Sequence, residues 1–396
     1  MKKTVLLPLI FVGTAAAIGT GAYFIYTAST GEQNGPGIII NGDQTPPQKG
    51  LSSSVDETQK QNQNQEKTQE PGKNLQKDNI QSIRVGFWNV LNYTNKSRNN
   101  PNTAKTYALA KVINSSGSDV VGLAEITSTG DGTDIVKELE KLNPSADWKQ
   151  ITTDKYGKTN QQEKYTFLYK SSLLETINFE GSSNPYLIQN GKNLAWARPV
   201  AAVKFQTKTN IKNDFTLAIG HFDAPGVSKN RNEKADSEAS NQGEQEANEA
   251  RDLVNVLTEI DKKDGPNNEI IFMGDTNIRG ENTDKLFKST LESYRLLLNK
   301  DEKTSLSSKD FGQYANSYDK IFYKGDLKTK NAKKYELYSI FEKNTVNLEE
   351  YDKMRKQDGR SVKYKLDDPK DINRIRGISD HTMVYFDLEL SESDND

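Results

Sequence analysis

His221 and His381 are the only two histidines in a chain of 396 residues. Each sits in a short polar motif, Gly220-His221-Phe222-Asp223 and Ser379-Asp380-His381. Imidazole is the side chain that gives or takes a proton near neutral pH, so the placement of so few copies is informative. One histidine after an apolar run is more often structural. Two of two at the ends of strand-like runs, each beside a carboxylate, point instead to proton transfer.

Other polar residues gather at the same kind of place. Trp88-Asn89 closes one apolar run, Glu125 ends the next and Glu163 stands just before a third. Gly274-Asp275-Thr276-Asn277 follows another, Tyr318-Asp319 opens one, and Ser379-Asp380-His381 precedes the last. Taken singly, Asp275 could close an Asx-turn, Glu125 could be an ordinary strand-end acid and Arg198 in Trp196-Ala197-Arg198-Pro199 could be a surface residue. Their joint recurrence at strand edges is the signal, because loops at one edge of a rigid sheet are where catalytic groups concentrate.

The chemistry that such a set permits is narrow. Glu125, Asp275, Asp380 and the amides Asn89 and Asn277 are hard oxygen donors suited to Mg²⁺ or Ca²⁺. With no thiolate and two imidazoles, a zinc cage is disfavoured. A histidine flanked by a carboxylate is held in one tautomer and becomes a better base, as activation of water on a phosphodiester requires. A metal offsets charge on phosphorus, while amides or an arginine hold the non-bridging oxygens.

These groups need strands to place them. Residues 83–91, 119–126, 165–169, 200–205, 215–221, 269–273, 319–323 and 382–388 read as strands by length and by their polar or glycine boundaries. Thr103 is expected to cap a helix running through Ile113, and 242–260 carries apolar residues at helical spacing. Many strands with few helices predict a layered α/β sandwich, since a doubly wound parallel sheet needs a helix after nearly every strand.

Composition bounds the rest. The chain is nearly neutral, with 53 Lys and Arg against 55 Asp and Glu, so no global basic field attracts nucleic acid and any polyanion is held locally. The absence of cysteine excludes disulfides, thiol nucleophiles and a lipobox anchor. In the segment 1–30, Lys2 and Lys3 precede an uncharged, mostly apolar run from Thr4 to Thr30, long enough to cross a bilayer core of about 30 Å. It is expected to be a signal anchor with its N-terminus inside, or a signal peptide if cleaved. Residues 31–79, rich in Gly, Gln, Asn, Pro and Lys, have the composition of a disordered tether. A catalytic body over 80–390 and an acidic tail over 391–396 follow.

From Ile83 to Leu390 the order and spacing of these motifs resemble the endonuclease/exonuclease/phosphatase superfamily, the deoxyribonuclease I-like proteins. Gly-Asp-x-Asn alone is weak, but followed at distance by Tyr-Asp-x-Ile and Ser-Asp-His it is specific. The resemblance implies a four-layer α/β/β/α sandwich, two packed mixed β-sheets flanked by helices. It implies that Glu163 partners His221, a general acid or phosphate ligand, and that Asp319 orients His381, the general base. Asp275 and Asn277 match the Gly-Asp-x-Asn signature, Glu125, Asn89, Asp380 and Asp275 would serve the metal, and Arg198, Asn277 and Asn89 would contact phosphate. Mg²⁺ is the expected cofactor, with Ca²⁺ or Mn²⁺ as alternatives.

The superfamily also contains sphingomyelinases and phosphatases, so fold leaves substrate open. DNA, with RNA as an alternative, is the expected substrate. Glu-x-Tyr-x-Phe and the later Arg-Pro resemble the nuclease branch, and an outward-facing, cysteine-free, Lys- and Asn-rich member is similar to mycoplasma membrane nucleases that scavenge nucleotides. Residues 324–376 carry 15 Lys or Arg against 10 Asp or Glu, enough to steer a polyanion unless they form only a solvated insertion. The competing expectations are a sphingomyelinase or phosphatase, and a non-catalytic nucleic-acid-binding surface protein. The chain is expected to act as a monomer at the outer membrane face, or secreted if the leader is removed.

Overall fold

A computed structural model describes residues 81–97, 101–159, 161–192, 194–227, 233–359, 364–366 and 368–394. The anchor and tether expected over 1–79 lie outside the described residues. Among the described residues no helix is long and apolar enough to cross a membrane.

The strands are β1 (Ser82–Tyr93), β2 (Val120–Ile126), β3 (Trp148–Thr152), β4 (Lys164–Lys170), β5 (Leu174–Ile177), β6 (Leu187–Gln189) and β7 (Val200–Thr207). Then come β8 (Asp214–His221), β9 (Ile270–Asp275), β10 (Arg295–Leu296), β11 (Asp319–Lys324), β12 (Thr329–Lys334) and β13 (Val384–Glu389). They form one sheet in the order β12-β13-β1-β2-β4-β3 and another in the order β10-β11-β9-β8-β7-β5, with β6 beside β7. Each sheet is mixed, with one parallel pair at its heart: β1 with β2, and β8 with β9.

The helices are α1 (Thr103–Ser116), α2 (Thr133–Leu142), α3 (Glu244–Asp261), α4 (Thr283–Leu286), α5 (Lys288–Leu291), α6 (Leu348–Gln357) and α7 (Ile372–Arg376). Phe87, Val85 and Phe386 of the first sheet pack with Leu217, Ile219 and Met273 of the second in one buried cluster. Leu109, Ile113 and Leu139 cover the outer face of the first sheet, and Leu253, Leu257 and Ile260 that of the second. Helix, sheet, sheet, helix is the expected four-layer sandwich.

The strand order explains why the polar residues meet. β1 and β2 run parallel while β13 and β4 run antiparallel to them. The last residues of β1 and β2 therefore share an edge with the first residues of β4 and β13. In the second sheet β8 and β9 run together against β7 and β11, so His221, Asp275 and Asp319 stand in one row. His221 pairs in register with Asp275, and Asp275 with Asp319.

Several local expectations need correction. Thr103 begins α1 but does not cap it; Asn102 precedes the helix with no side-chain cap. The cap comes from far along the chain, where Asp358 accepts the N–H groups of Thr103 (3.1 Å) and Ala104 (3.0 Å). The helix expected from 242 is α3, which starts at Glu244, two residues later than its apolar pattern suggests. The stretch over 324–376 is more than a solvated insertion: β12 joins the first sheet as an edge strand and Tyr351 of α6 enters the core. Arg374, 0 % exposed, pairs with Asp352 through two bonds of 3.2 and 3.1 Å and lies over the Tyr364 ring.

Candidate active site

Each histidine is held by an acid at Nδ1. Glu163 meets His221 Nδ1 with its two oxygens at 3.0 and 3.1 Å, and Asp319 Oδ2 meets His381 Nδ1 at 2.8 Å. With Nδ1 engaged, both rings turn Nε2 to the same atom. Asp275 Oδ2 is 3.3 Å from His381 Nε2 and 3.8 Å from His221 Nε2.

The backbone is pinned with equal care. Trp88 Nε1 donates to the His381 carbonyl (2.8 Å), and Ser379 Oγ donates to the Asn89 carbonyl (2.7 Å) while accepting the His381 N–H (3.0 Å). The His221 N–H donates to the Tyr165 hydroxyl at 3.2 Å. These contacts tie β1 to the segment before β13, and β4 to the end of β8, so the edge is rigid before any substrate arrives.

Glu125 reaches the same edge through an irregular backbone. The β1–β2 and β2–β4 registers shift beside it, and its φ of 60° is left-handed, a conformation that L-residues other than glycine seldom adopt. Bulges of this kind re-aim a side chain near a site. Asn89 Nδ2 donates to Glu125 Oε1 (2.9 Å) and to Asp275 Oδ2 (3.0 Å), and so joins the two sheets. Its Oδ1 accepts the Leu91 N–H at 3.0 Å. Asn89 therefore acts here as a donor bracing two acids.

Electrostatics follow from burial and crowding. Desolvation pushes the Glu125 carboxyl up, helped by Glu163 and Asp380 and opposed by His221. Asp275 is 1 % exposed, yet His381 and His221 more than offset its burial and hold it below the usual carboxylate range. Burial and Arg198 pull His221 down, but Glu163 and Asp275 outweigh them and leave it raised. His381 resists burial through Asp275 and Asp319 together and is raised well above 6.5. Burial also pushes Asp319 up.

The donor set fits a hard divalent cation. Glu125 and Asp275 come from different sheets to within reach of one amide, and the negative charge of Asp380 is felt at Glu125. Oxygens of Asp275 and Asp319 and a His381 nitrogen also lie within 4.8 Å of one another. Asp380 faces Arg376 at 3.8 Å and remains partly exposed.

Arg198 departs from its expected role as a phosphate contact. Only 6 % exposed, it donates through Nε to the His221 carbonyl (2.8 Å) and through Nη2 to the Phe222 carbonyl, with Glu163 at 3.5 Å. It is a brace behind the first histidine. Asn277 N–H donates to Asp275 Oδ1 at 3.1 Å, and its side-chain amide reaches no nearer than 3.4 Å to the Phe222 carbonyl.

Arg279 escaped notice in the sequence. Two residues beyond Asn277, its Nε is buried with no hydrogen-bond partner among the described residues. Its charge acts on Tyr318, whose ring stacks against His381 at 6.4 Å between centroids. Position after the Gly-Asp-x-Asn motif was the available signal. For Thr304, whose hydroxyl accepts the Asp319 N–H at 3.1 Å, the sequence offers none.

No family model matches the chain. An uncharacterized protein of Mycoplasma pneumoniae is 32% identical over 191 residues, which is 48% of this chain and 37% of that protein's length. An endonuclease/exonuclease/phosphatase family protein from Leptotrichia buccalis is similar in structure, with 13% identity, a TM-score of 0.47 and coverage of 78% of this chain and 100% of that one. D. rerio TDP2 complexed with a single-strand DNA product is similar at 15% identity and a TM-score of 0.45, over 78% of this chain and 99% of that one.

Proposed function

We propose that this protein is a metal-dependent phosphodiesterase of the endonuclease/exonuclease/phosphatase superfamily, acting on DNA with little sequence preference. One observation carries the reading: two acid-held histidines converge through Nε2 on a single Asp275 oxygen, which Asn89 joins to Glu125. That arrangement has two proton carriers and an acidic cation seat within a few ångströms, which in-line displacement at phosphorus needs.

Glu125, Asp275 and Asp380 hold the divalent cation, with Mg²⁺ the first candidate, and when bound it supplies charge neutralisation for a non-bridging phosphate oxygen. His381, fixed by Asp319, would serve as the base toward the attacking water at Nε2 when the Asp275 charge that raises it is taken up by the cation. His221, fixed by Glu163, presents Nε2 to the leaving oxygen or to a non-bridging oxygen. Asn277 and Arg279 hold the remaining phosphate oxygens, the arginine in the role the sequence suggested for Arg198. Asn89 keeps the two acids in place from below.

DNA as substrate is supported by the basic surplus over 324–376, although part of it is engaged locally. Lys324 pairs with Asp261, Lys330 with Glu389, Lys334 with Glu302 and Arg374 with Asp352. The apolar N-terminal run supports placement of the body outside the cell, tethered to the membrane.

Substrate is tested on the full-length chain with supercoiled plasmid, RNA and sphingomyelin liposomes, each with Mg²⁺, Ca²⁺ or EDTA. Metal-dependent nicking of plasmid is the expected result. Release of phosphocholine with intact DNA selects the sphingomyelinase reading, and DNA binding without turnover under any metal selects a binding protein.

A further inference from the structure

Helix α3 carries a polar stripe beside its apolar one. Gln245, Glu249 and Asp252 follow one another at i, i+4 and i+7 and so share a face, next to the Ala250, Leu253 and Leu257 that cover the second sheet. All three reach the segment that leads into β7. Gln245 Nε2 donates to the Ala195 carbonyl (3.1 Å), the Ala197 N–H donates to Glu249 Oε1 (2.5 Å) and Trp196 Nε1 donates to Asp252 Oδ2 (2.9 Å).

Glu249 goes further than this. Its Oε2 accepts the Asp223 N–H at 2.8 Å, two residues beyond His221, on a side chain that is 0 % exposed. The backbone there is held at every point. The His221 N–H goes to the Tyr165 hydroxyl, the His221 and Phe222 carbonyls to Arg198, the Phe222 N–H to the Asp275 carbonyl (2.9 Å) and the Asp223 N–H to Glu249. One carboxylate thus grips the strand end that carries the histidine and the residue just before the arginine that braces it. The Trp196 ring meets Phe222 edge-on at 5.0 Å and closes the same joint.

Stability does not account for an acid in this place. Burial pushes the Glu249 carboxyl up and outweighs the Ala197 and Asp223 N–H groups, Gln245 and the charge of Arg198. The folded carboxyl therefore binds a proton more tightly than an unfolded one, and the fold gives up stability to keep it ionised. What the carboxylate contributes is two strong, directional bonds to fixed backbone donors.

We propose that Glu249 is a positioning residue for His221, holding the imidazole through the N–H groups of Ala197 and Asp223 so that Nε2 stays turned toward Asp275. Supporting groups of this kind fix a reacting side chain to within a fraction of an ångström. For its effect on rate the inference rests on the phosphodiesterase reading of the site; for its effect on the ring it does not.

The test exploits the two histidines of the chain. Long-range ¹H–¹⁵N spectra of the full-length protein report two imidazoles, assigned with His221→Ala, and His381 serves as the internal control. Glu249→Gln keeps the size of the side chain but sets an amide NH₂ against one of the two backbone N–H groups. The His221 ring signals are expected to move while those of His381 stay. With Mg²⁺ and bis(p-nitrophenyl) phosphate, kcat is expected to fall by about tenfold or more and KM to stay within about twofold, since misplacement of a reacting group acts on the chemical step. Unmoved His221 signals, an equal movement of His381, or unchanged kcat in an active protein each overturn the proposal. If the wild type hydrolyses no phosphodiester, the reading of the site fails, and the His221 signals alone decide the role of Glu249. Should Glu249→Gln fail to fold, Gln245→Ala decides, because it removes from a half-buried position the amide that donates to Glu249 Oε1 at 2.8 Å. A movement of the His221 signals alone supports the proposal there, and unmoved signals overturn it.

Discussion

Asp319 Oδ2 lies 2.8 Å from His381 Nδ1 although 62 residues separate them. The contact fixes which ring nitrogen faces the site, since a histidine bonded through Nδ1 has Nε2 free for chemistry. β11 supplies the acid at its first residue and the segment before β13 supplies the histidine, so the pair exists only because the two sheets are packed face to face.

Removing either ring should therefore cost turnover more than folding. His381→Ala and His221→Ala are each expected to lower kcat by about 10²- to 10⁴-fold, the usual worth of a general acid or base. Asp319→Asn should lower it as well, by leaving His381 in the wrong tautomer. Steady-state rates beside thermal midpoints check this, and wild-type-like turnover in His381→Ala removes the proposed base.

Arg198 and Arg279 should separate cleanly. Arg198→Ala strips two carbonyls of their donor and leaves Glu163 without its cation, so loss of stability and of activity are expected together. Arg279→Ala is expected to leave the unfolding midpoint in place, raise KM for DNA and reduce the slope of log affinity against log salt by about 1. An unchanged salt slope contradicts a phosphate contact at Arg279.

The insertion makes its own prediction. Arg374→Ala leaves Asp352 buried without its partner and should destabilise the protein by about 3–5 kcal/mol, the usual cost of breaking a buried pair. Asp358→Ala, which uncaps α1, should cost about 1 kcal/mol. Chemical denaturation measures both, and a neutral Arg374→Ala would place the insertion outside the cooperative core.

Lys320 predicts a pH dependence of stability. It is 1 % exposed, and burial pulls its ammonium down to about 8 against the attraction of Asp319 and Asp301. In the unfolded chain a lysine titrates near 10.5. Between those values the unfolded chain holds a proton that the folded chain has released, so stability rises with pH across that window and is flat below it. The stability of wild type relative to Lys320→Met should be greater at pH 10 than at pH 7.5, and a constant difference contradicts the assignment.

Much of the site was legible because its residues sit where apolar runs stop. His221, Asp275 and Asp319 bound their strands, and a strand end is visible in one dimension. Which acid serves which histidine was not legible from spacing: Glu163 and Asp319 are not the nearest acids, and only the resemblance singled them out. Arg198 misled for the complementary reason, since Arg-Pro before a strand cannot reveal that two carbonyls lie behind it. The Asp358 cap on α1 and the Asp352–Arg374 pair escaped because both depend on contacts the fold creates.

Cleavage of a phosphodiester by two acid-held histidines and a cation seat is the activity proposed for this sheet edge. Its most direct test is hydrolysis of bis(p-nitrophenyl) phosphate by the full-length protein with Mg²⁺, with EDTA, and with Mg²⁺ in His381→Ala. Hydrolysis that EDTA abolishes and His381→Ala slows by about 10²-fold or more is the predicted result. Hydrolysis that persists in EDTA, or that His381→Ala leaves unchanged, would contradict it.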